Sequence, residues 1–324
     1  MGAEKPPGQQ RQGAIGVRFD ELAALLCLDQ VRGFGPGAFR AMHEAKVDPE
    51  ALLETAGLLP LEGKRGEKLR RRIAALDSGE RSLAEGRAVR QLHRAEELGV
   101  QILTYRHPDY PPNLLASNNA VPILYARGDV DLLRQADVVA CVGSRKIRPR
   151  YVKQLKAFSE LAAKGGWLVA SGFASGADTT AHEAAIAAGG STVLVMPSGL
   201  DIPFPLENRE LWKEWQSQRG VAMISEFPLG TRASALTLRK RNKTIVGVSK
   251  AVLVAQTSAE GGTMNAYRFA LEQRKQILTF PPDSNSDTDG NRLIAEEASK
   301  QEDLLGEGAL RPELERWLAQ SAST

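Results

Sequence analysis

At 324 residues, 42% hydrophobic and 25% charged, the chain is long enough for a full core and has an ordinary globular composition. No apolar run approaches the ~18 residues of a membrane helix and no signal-peptide core opens the chain, so neither a membrane nor a secreted role is expected. A formal net charge of +3 is too mild to name a partner, and the placement of the charges matters more than their sum.

Residues 1–18, rich in Gly, Pro and Gln, read as a disordered tail. From residue 19 the spacing of Leu22, Leu25, Leu26 and Val31 predicts a helix capped by Asp20. VRGFGPGAFRAMHEA then breaks the helix and restarts it with Pro36 in the new first turn. Helical patterns continue over 51–59, 63–76 and 80–98, so 19–98 reads as a small all-helical domain. Its V-x-G-x-G-P turn resembles a helix-hairpin-helix, in which amides at a helix start hold a DNA phosphate; a tight helix–helix connection needs the same Gly33, Gly35 and Gly37. KRGEKLRRR (64–72) follows, with six basic residues against one acid, and reads by default as a solvated helix face.

After Gly99 the period shifts. Strands are predicted at 100–105, 123–128, 137–143, 167–172, 191–196, 222–227, 251–257 and 276–280. Helices are predicted between them at 149–164, 178–188, 206–218, 241–248 and 263–273. Short apolar strands alternating with helices specify an α/β fold: a doubly wound, mostly parallel sheet over 99–283, preceded by the helical domain. Residues 284–324 read as an acidic tail or helix that caps the sheet or trails in solvent.

In such sheets ligands bind beyond the carboxyl ends of the strands. Four loops there are unusual. Gly143-Ser144-Arg145-Lys146 opens a stretch, 145–156, with six basic residues and no acid. SGFASGADTTAHEAA (171–185) supplies Ser171, Gly172 and Gly176 ahead of a helix. TLRKRNKTIVG carries Arg239, Arg241, Asn242 and Lys243, with Arg241 at the expected helix start, and SAEGGTMNA carries Gly261, Gly262 and Thr263. Amides at helix N-termini together with guanidinium groups make a trough for several anions, which favours a polyanion over a bulky nucleotide. The dinucleotide fingerprint GxGxxG is absent.

Asp178 and His182 are four apart and share a helix face, as an acid–base dyad or as loop supports. Ser171 and Ser175 carry no mark of activation and no Mg²⁺-type acidic cluster is present, so no catalytic residue is assigned. CxxC and HExxH spacings are absent and the four histidines are scattered, so neither a metal nor a cofactor is expected. Cys27 and Cys141, far apart in apolar surroundings, read as buried free thiols of a cytoplasmic protein.

The run CVGSRK…SGFASGADTTAHEAA…PSGLDIPFPLENRELW…ISEFPLG…RKRNKTIVGVSKAVLVAQTSAEGGTMNA resembles the DNA-processing protein A (DprA, or Smf) family, over about 98–282. The resemblance implies a Rossmann-like domain that binds single-stranded DNA, dimerises, helps to load a RecA-type recombinase during DNA uptake, and is not an enzyme. It implies a DNA pocket at Gly143, Ser144 and Arg145, at Ser171, Gly172 and Gly176, at Arg241, Asn242 and Lys243, and at Gly261, Gly262 and Thr263. Arg239-Lys240 replaces the family's Phe-Pro, Gln256 replaces a strand-end acid, and Glu260-Gly261-Gly262-Thr263 replaces Ser-Gly-Ser-Leu, which marks a divergent member. Tyr151, Phe173 and Phe204 are candidates for base stacking. The competing expectation is a nucleotide sensor or nucleotide-processing enzyme of a related Rossmann-like family.

Overall fold

The computed structural model describes residues 17–298. Five helices come first: α1 (Phe19–Gln30), α2 (Pro36–Glu44), α3 (Pro49–Glu54), α4 (Gly63–Ala74) and α5 (Ser78–Leu98). Local chemistry sets their ends. Pro36 follows extended Gly35 into α2, the Asp48 carboxylate accepts from the amides of Glu50 and Ala51, and Asp77 with Glu80 forms a capping box on α5. Gly99, at φ 62°, ends α5 in the left-handed region. The α1 expectation needs correction: Arg18 holds the cap position without a side-chain bond, and Asp20 lies inside the first turn.

The sheet region follows as β1 (Gln101–Thr104), α6 (Pro112–Ala116), β2 (Ile123–Gly128), β3 (Val138–Val142), α7 (Pro149–Lys164), β4 (Leu168–Ser171) and α8 (Ala177–Ala187). It continues with β5 (Thr192–Val195), α9 (Arg209–Trp215), β6 (Val221–Ser225), α10 (Ala235–Val248), β7 (Ala251–Val254), α11 (Thr263–Glu272), β8 (Gln276–Thr279) and α12 (Asp289–Ala298). The eight strands are ordered β1-β2-β6-β5-β4-β3-β7-β8. β2 runs antiparallel to β1 and β6, and the remaining pairs are parallel.

Strand alternation builds two cores. Val139, Cys141 and Val169 pack with Tyr151, Leu155 and Phe158 of α7 and with Ala177, Ala181 and Ala185 of α8. Ala140, Val142 and Ala170 face the other way, into a cluster with Ile245 of α10 and Phe269 of α11 that runs on into the helical region through Ile102, Phe39 and Leu25. The helical region is therefore joined to the sheet by shared core. Gln91 adds a two-bond clasp to the backbone of Leu229, at 2.9 and 3.2 Å. Both cysteines are free and buried, and burial pushes the Cys141 thiol up to about 12.

From β3 the chain winds outward one way through β4, β5 and β6, and the other way through β7 and β8. β3 and β7 are therefore the switch point, and with Val142 paired to Val254 their exit loops emerge side by side. Among the described residues no helix is long and apolar enough to cross a membrane.

Candidate functional site

The loop leaving β3 and the loop leaving β4 lie on each other. The Ser144 amide donates to the Gln256 carbonyl at 2.8 Å, and the Ser144 carbonyl accepts from the Ala177 amide at 3.1 Å, satisfying the first donor of α8. Gly176, at φ 84°, sits so close that a Cβ there would meet the Ser144 carbonyl at 2.7 Å. Gly143 has the same constraint, since a Cβ would lie 2.6 Å from that of Ala177. Arg145 and Lys146 extend from this joint into solvent. The amides of Ser175 and Gly176 find no acceptor among the described residues, so they remain available at the start of α8.

Beneath these loops lies a buried charged scaffold. Asp178 accepts from the Ala174 amide at 3.1 Å and so holds the β4 loop in its turn. Burial raises the Asp178 pKa, while the neighbouring Arg241 cation opposes that shift. Arg241 donates to the carbonyls of Gly172 and Val195, at the ends of β4 and β5. A Cβ on Gly172 would collide with this guanidinium. Two expectations fail here for one reason. A Ser234–Thr237 capping box starts α10 at Ala235, so Arg241 lies mid-helix rather than at its start. Its side chain is only 6% exposed and points into the fold, instead of standing free for a phosphate. The Arg145 charge still reaches Arg241 and disfavours its protonated form, which places the two cations near each other.

His182 makes no dyad with Asp178. Thr192 Oγ1 donates to the Val169 carbonyl at 2.7 Å, so the 2.6 Å contact to His182 requires Nδ1 to be the donor. The ring packs near Phe173 and Trp215, and burial lowers its pKa to about 3. A neutral imidazole in this place supports β5 and α8.

The loop leaving β7 is set from behind by α12. Asn291, fully buried, accepts from the Thr257 amide at 2.8 Å and donates to the Ala255 carbonyl and Thr279 Oγ1 at 3.0 and 2.9 Å. Gly261 could not carry a Cβ, which would meet Thr257 Oγ1 at 2.8 Å, while Gly262 and Thr263 begin α11 with open space at Gly262. Gln256 ties the joint together by accepting from the Arg148 amide and donating to Asp287, both at 2.8 Å. Arg148 in turn pairs with Asp283 and Asp287 at 2.7 and 2.9 Å, so one of the six cations in 145–156 is already neutralised. The first part of the expected tail thus caps the sheet; residues 299–324 lie outside the described residues.

On the outer surface, Arg145, Lys146, Arg239, Lys240 and Gly262 are exposed, and Ser144, Asn242, Lys243, Gly261 and Thr263 are half-buried. Lys243 lies over the Phe269 ring, 4.9 Å from its centroid, and Asn242 accepts from Arg241 Nε at 3.2 Å. Ser171 is fully buried and donates to the Cys141 carbonyl. Tyr151 and Phe173 are core residues without exposure, which removes them as stacking platforms; Phe204 is half-buried. Sequence reasoning missed Asn291 and also Asn208, whose amide donates to the Phe173 carbonyl at 2.9 Å. It also missed Glu207, an exposed acid that accepts from Ser175 Oγ at 2.7 Å. An Asn inside an amphipathic helix gives no sequence signal of this kind.

A family model described as DNA recombination-mediator protein A matches residues 101–305. The chain belongs to this family. Protein Smf of Escherichia coli is 32% identical over 191 residues, covering 59% of this chain and 50% of that protein. Protein Smf of Synechocystis sp. is 28% identical over 272 residues, covering 81% of this chain and 65% of that one. The chain therefore matches between half and about two thirds of the length of these relatives. The fold is that of DNA processing protein A from Streptococcus pneumoniae, with a TM-score of 0.69, 22% identity, and coverage of 90% of this chain and 95% of that one. A second likeness is to DNA processing protein A from Helicobacter pylori, described by its single-stranded DNA binding mode. Its TM-score is 0.60 at 23% identity, over 68% of this chain and 96% of that one.

Proposed function

We propose that the chain binds single-stranded DNA across the carboxyl edge of its sheet. The observation that carries this reading is the joint between the β3 and β4 loops, where exposed Arg145 and Lys146 stand beside the free amides of Ser175 and Gly176. Cations and helix-start amides on one edge suit a run of phosphates, which needs several positive points rather than one socket. Arg239 and Lys240 on α10 widen the basic edge, and Gly262 and Thr263 add the start of α11. Arg241, Asp178 and Gly172 act one layer below, fixing the strand ends that carry the loops.

In this reading the protein is a cytoplasmic, dimeric recombination mediator that shields a strand and passes it to a RecA-type recombinase. Family membership and the Helicobacter pylori relative's single-stranded DNA support it. No catalytic step is assigned, because His182 is buried, neutral and engaged with Thr192.

A salt titration with a short oligothymidine tests the proposal. Binding should weaken steeply with salt, and Arg145→Ala with Lys146→Ala together should lower the log–log slope by about two. Salt-independent binding would overturn it, as would tight binding of a mononucleotide with no affinity for the oligothymidine.

A further inference from the structure

Where the α1–α2 hairpin meets α4, Arg32 and five cations of α4 make a basic corner, while Asp29, ahead of the turn, interacts with Lys240 of α10. Gly33, at φ 98°, turns the chain between the two helices, and Arg72 at the end of α4 donates to the Arg32 carbonyl in that turn. α4 is thereby fixed against the hairpin. Arg65, Lys68 and Arg72, spaced i, i+3 and i+7, share one face of α4 and form a row of cations about 10 Å long. Arg32, Lys64 and Arg71 flank the row and are exposed. None of these six cations is ion-paired among the described residues; Glu67, the only acid of α4, stands off the Arg65–Lys68–Arg72 row, on the side it shares with Lys64 and Arg71. Beside the row, a Cβ at Gly35 or Gly37 would meet nothing within 4 Å, so the first turn of α2 is open to approach.

We propose that this corner is a second phosphate-binding surface that takes nucleic-acid backbone, separate from Arg145 and Lys146. Unpaired cations at helical spacing next to an open helix start match a strand whose charges recur every ~3.4 Å of axis. The helical region packs on β1 and, through Gln91 and Arg94, on the loops that hold Leu229 and Asp201. Asp29 at the end of α1 is near enough to Lys240 for their charges to interact, so the corner adjoins the α10 end of the basic edge while Arg145 and Lys146 stand at β3. A strand that runs on from Arg145 and Lys146 past α10, or a duplex, could reach it; an oligonucleotide short enough to be held at Arg145 and Lys146 alone could not. The proposal does not depend on the rim reading, since each surface has its own variants.

Two variants of the full chain test it: Lys68→Ala with Arg71→Ala, and Gly37→Glu. The second sets a carboxylate in the first turn of α2, where it favours the helix but repels phosphate, so the Tm should hold or rise. Both should bind a long oligothymidine or a blunt duplex about tenfold more weakly, with the salt slope lowered by about two for the double alanine. Both should bind the short oligothymidine like wild type. Loss on the duplex alone identifies double-stranded backbone as the occupant, and loss on the long strand alone identifies an extension of the rim-bound strand. Unchanged binding of both, or equal loss on the short oligothymidine, would overturn the proposal. Arg145→Ala with Lys146→Ala should instead weaken the short oligothymidine, which separates failure of the rim from failure of the hairpin.

Discussion

Arg145 and Arg241 stand close together at the carboxyl edge of the sheet, and they belong to different machines. Arg145 is exposed, on a loop, with its guanidinium free for a ligand. Arg241 is buried among carbonyls, with Asp178 as its countercharge. A basic residue near a binding edge thus acts either as a contact or as scaffold, and burial decides which. The outer charges of this edge rest on an inner layer whose polar groups are already satisfied.

The largest effect should come from the inner layer. Arg241→Ala leaves the carbonyls of Gly172 and Val195 without a donor and Asp178 without its cation, which should cost about 3–5 kcal/mol in denaturant unfolding. Arg145→Ala in the same assay should stay within about 0.5 kcal/mol of wild type. Equal stability losses would break the distinction between the two arginines.

Asn291→Ala probes the second half of the scaffold. It removes the acceptor of the Thr257 amide and the donor to the ends of β7 and β8, and should cost about 1–3 kcal/mol. Wild-type stability in that variant would mean that α12 does not set the β7 loop.

The last effect is a slope with pH. The pKa of His182 is about 3 in the fold against the ordinary 6.5, so the unfolded chain binds the extra proton between those values. Its contribution is therefore complete above about pH 6.5 and is lost as the pH falls, at up to about 1.4 kcal/mol per pH unit. Unfolding measured at pH 7, 6 and 5 should show this fall, and His182→Gln should flatten it. An unchanged slope in the variant would place the titrating group elsewhere.

The order of strands and helices along the chain is readable from alternation and turns, whereas the spatial order that makes β3 and β7 the switch point comes from the structure. What escaped was phase within the basic run RKRNK. Read only as a charge cluster it looks uniformly exposed, but Arg241 lies in phase with Ile245 and Val248, which are buried. The polar Ser234–Thr237 capping box hid the true start of α10, because the apolar pattern begins a full turn or more later. Asn291 left no trace at all, since a single amide that joins two strand ends depends on distant backbone and not on neighbours in sequence. The serines and glycines of the β4 loop were found for their turn chemistry, whereas their division into exposed and packed positions came only from three dimensions.

The clasp made by α12 also has a consequence in time. As the chain leaves the ribosome, β3, β4 and their loops emerge long before residues 283–291. The protein acceptor of the Thr257 amide, Asn291, and the counterions of Arg148, Asp283 and Asp287, all belong to this late segment. The β7 side of the edge therefore cannot be complete in any piece of the chain that stops short of Asn291.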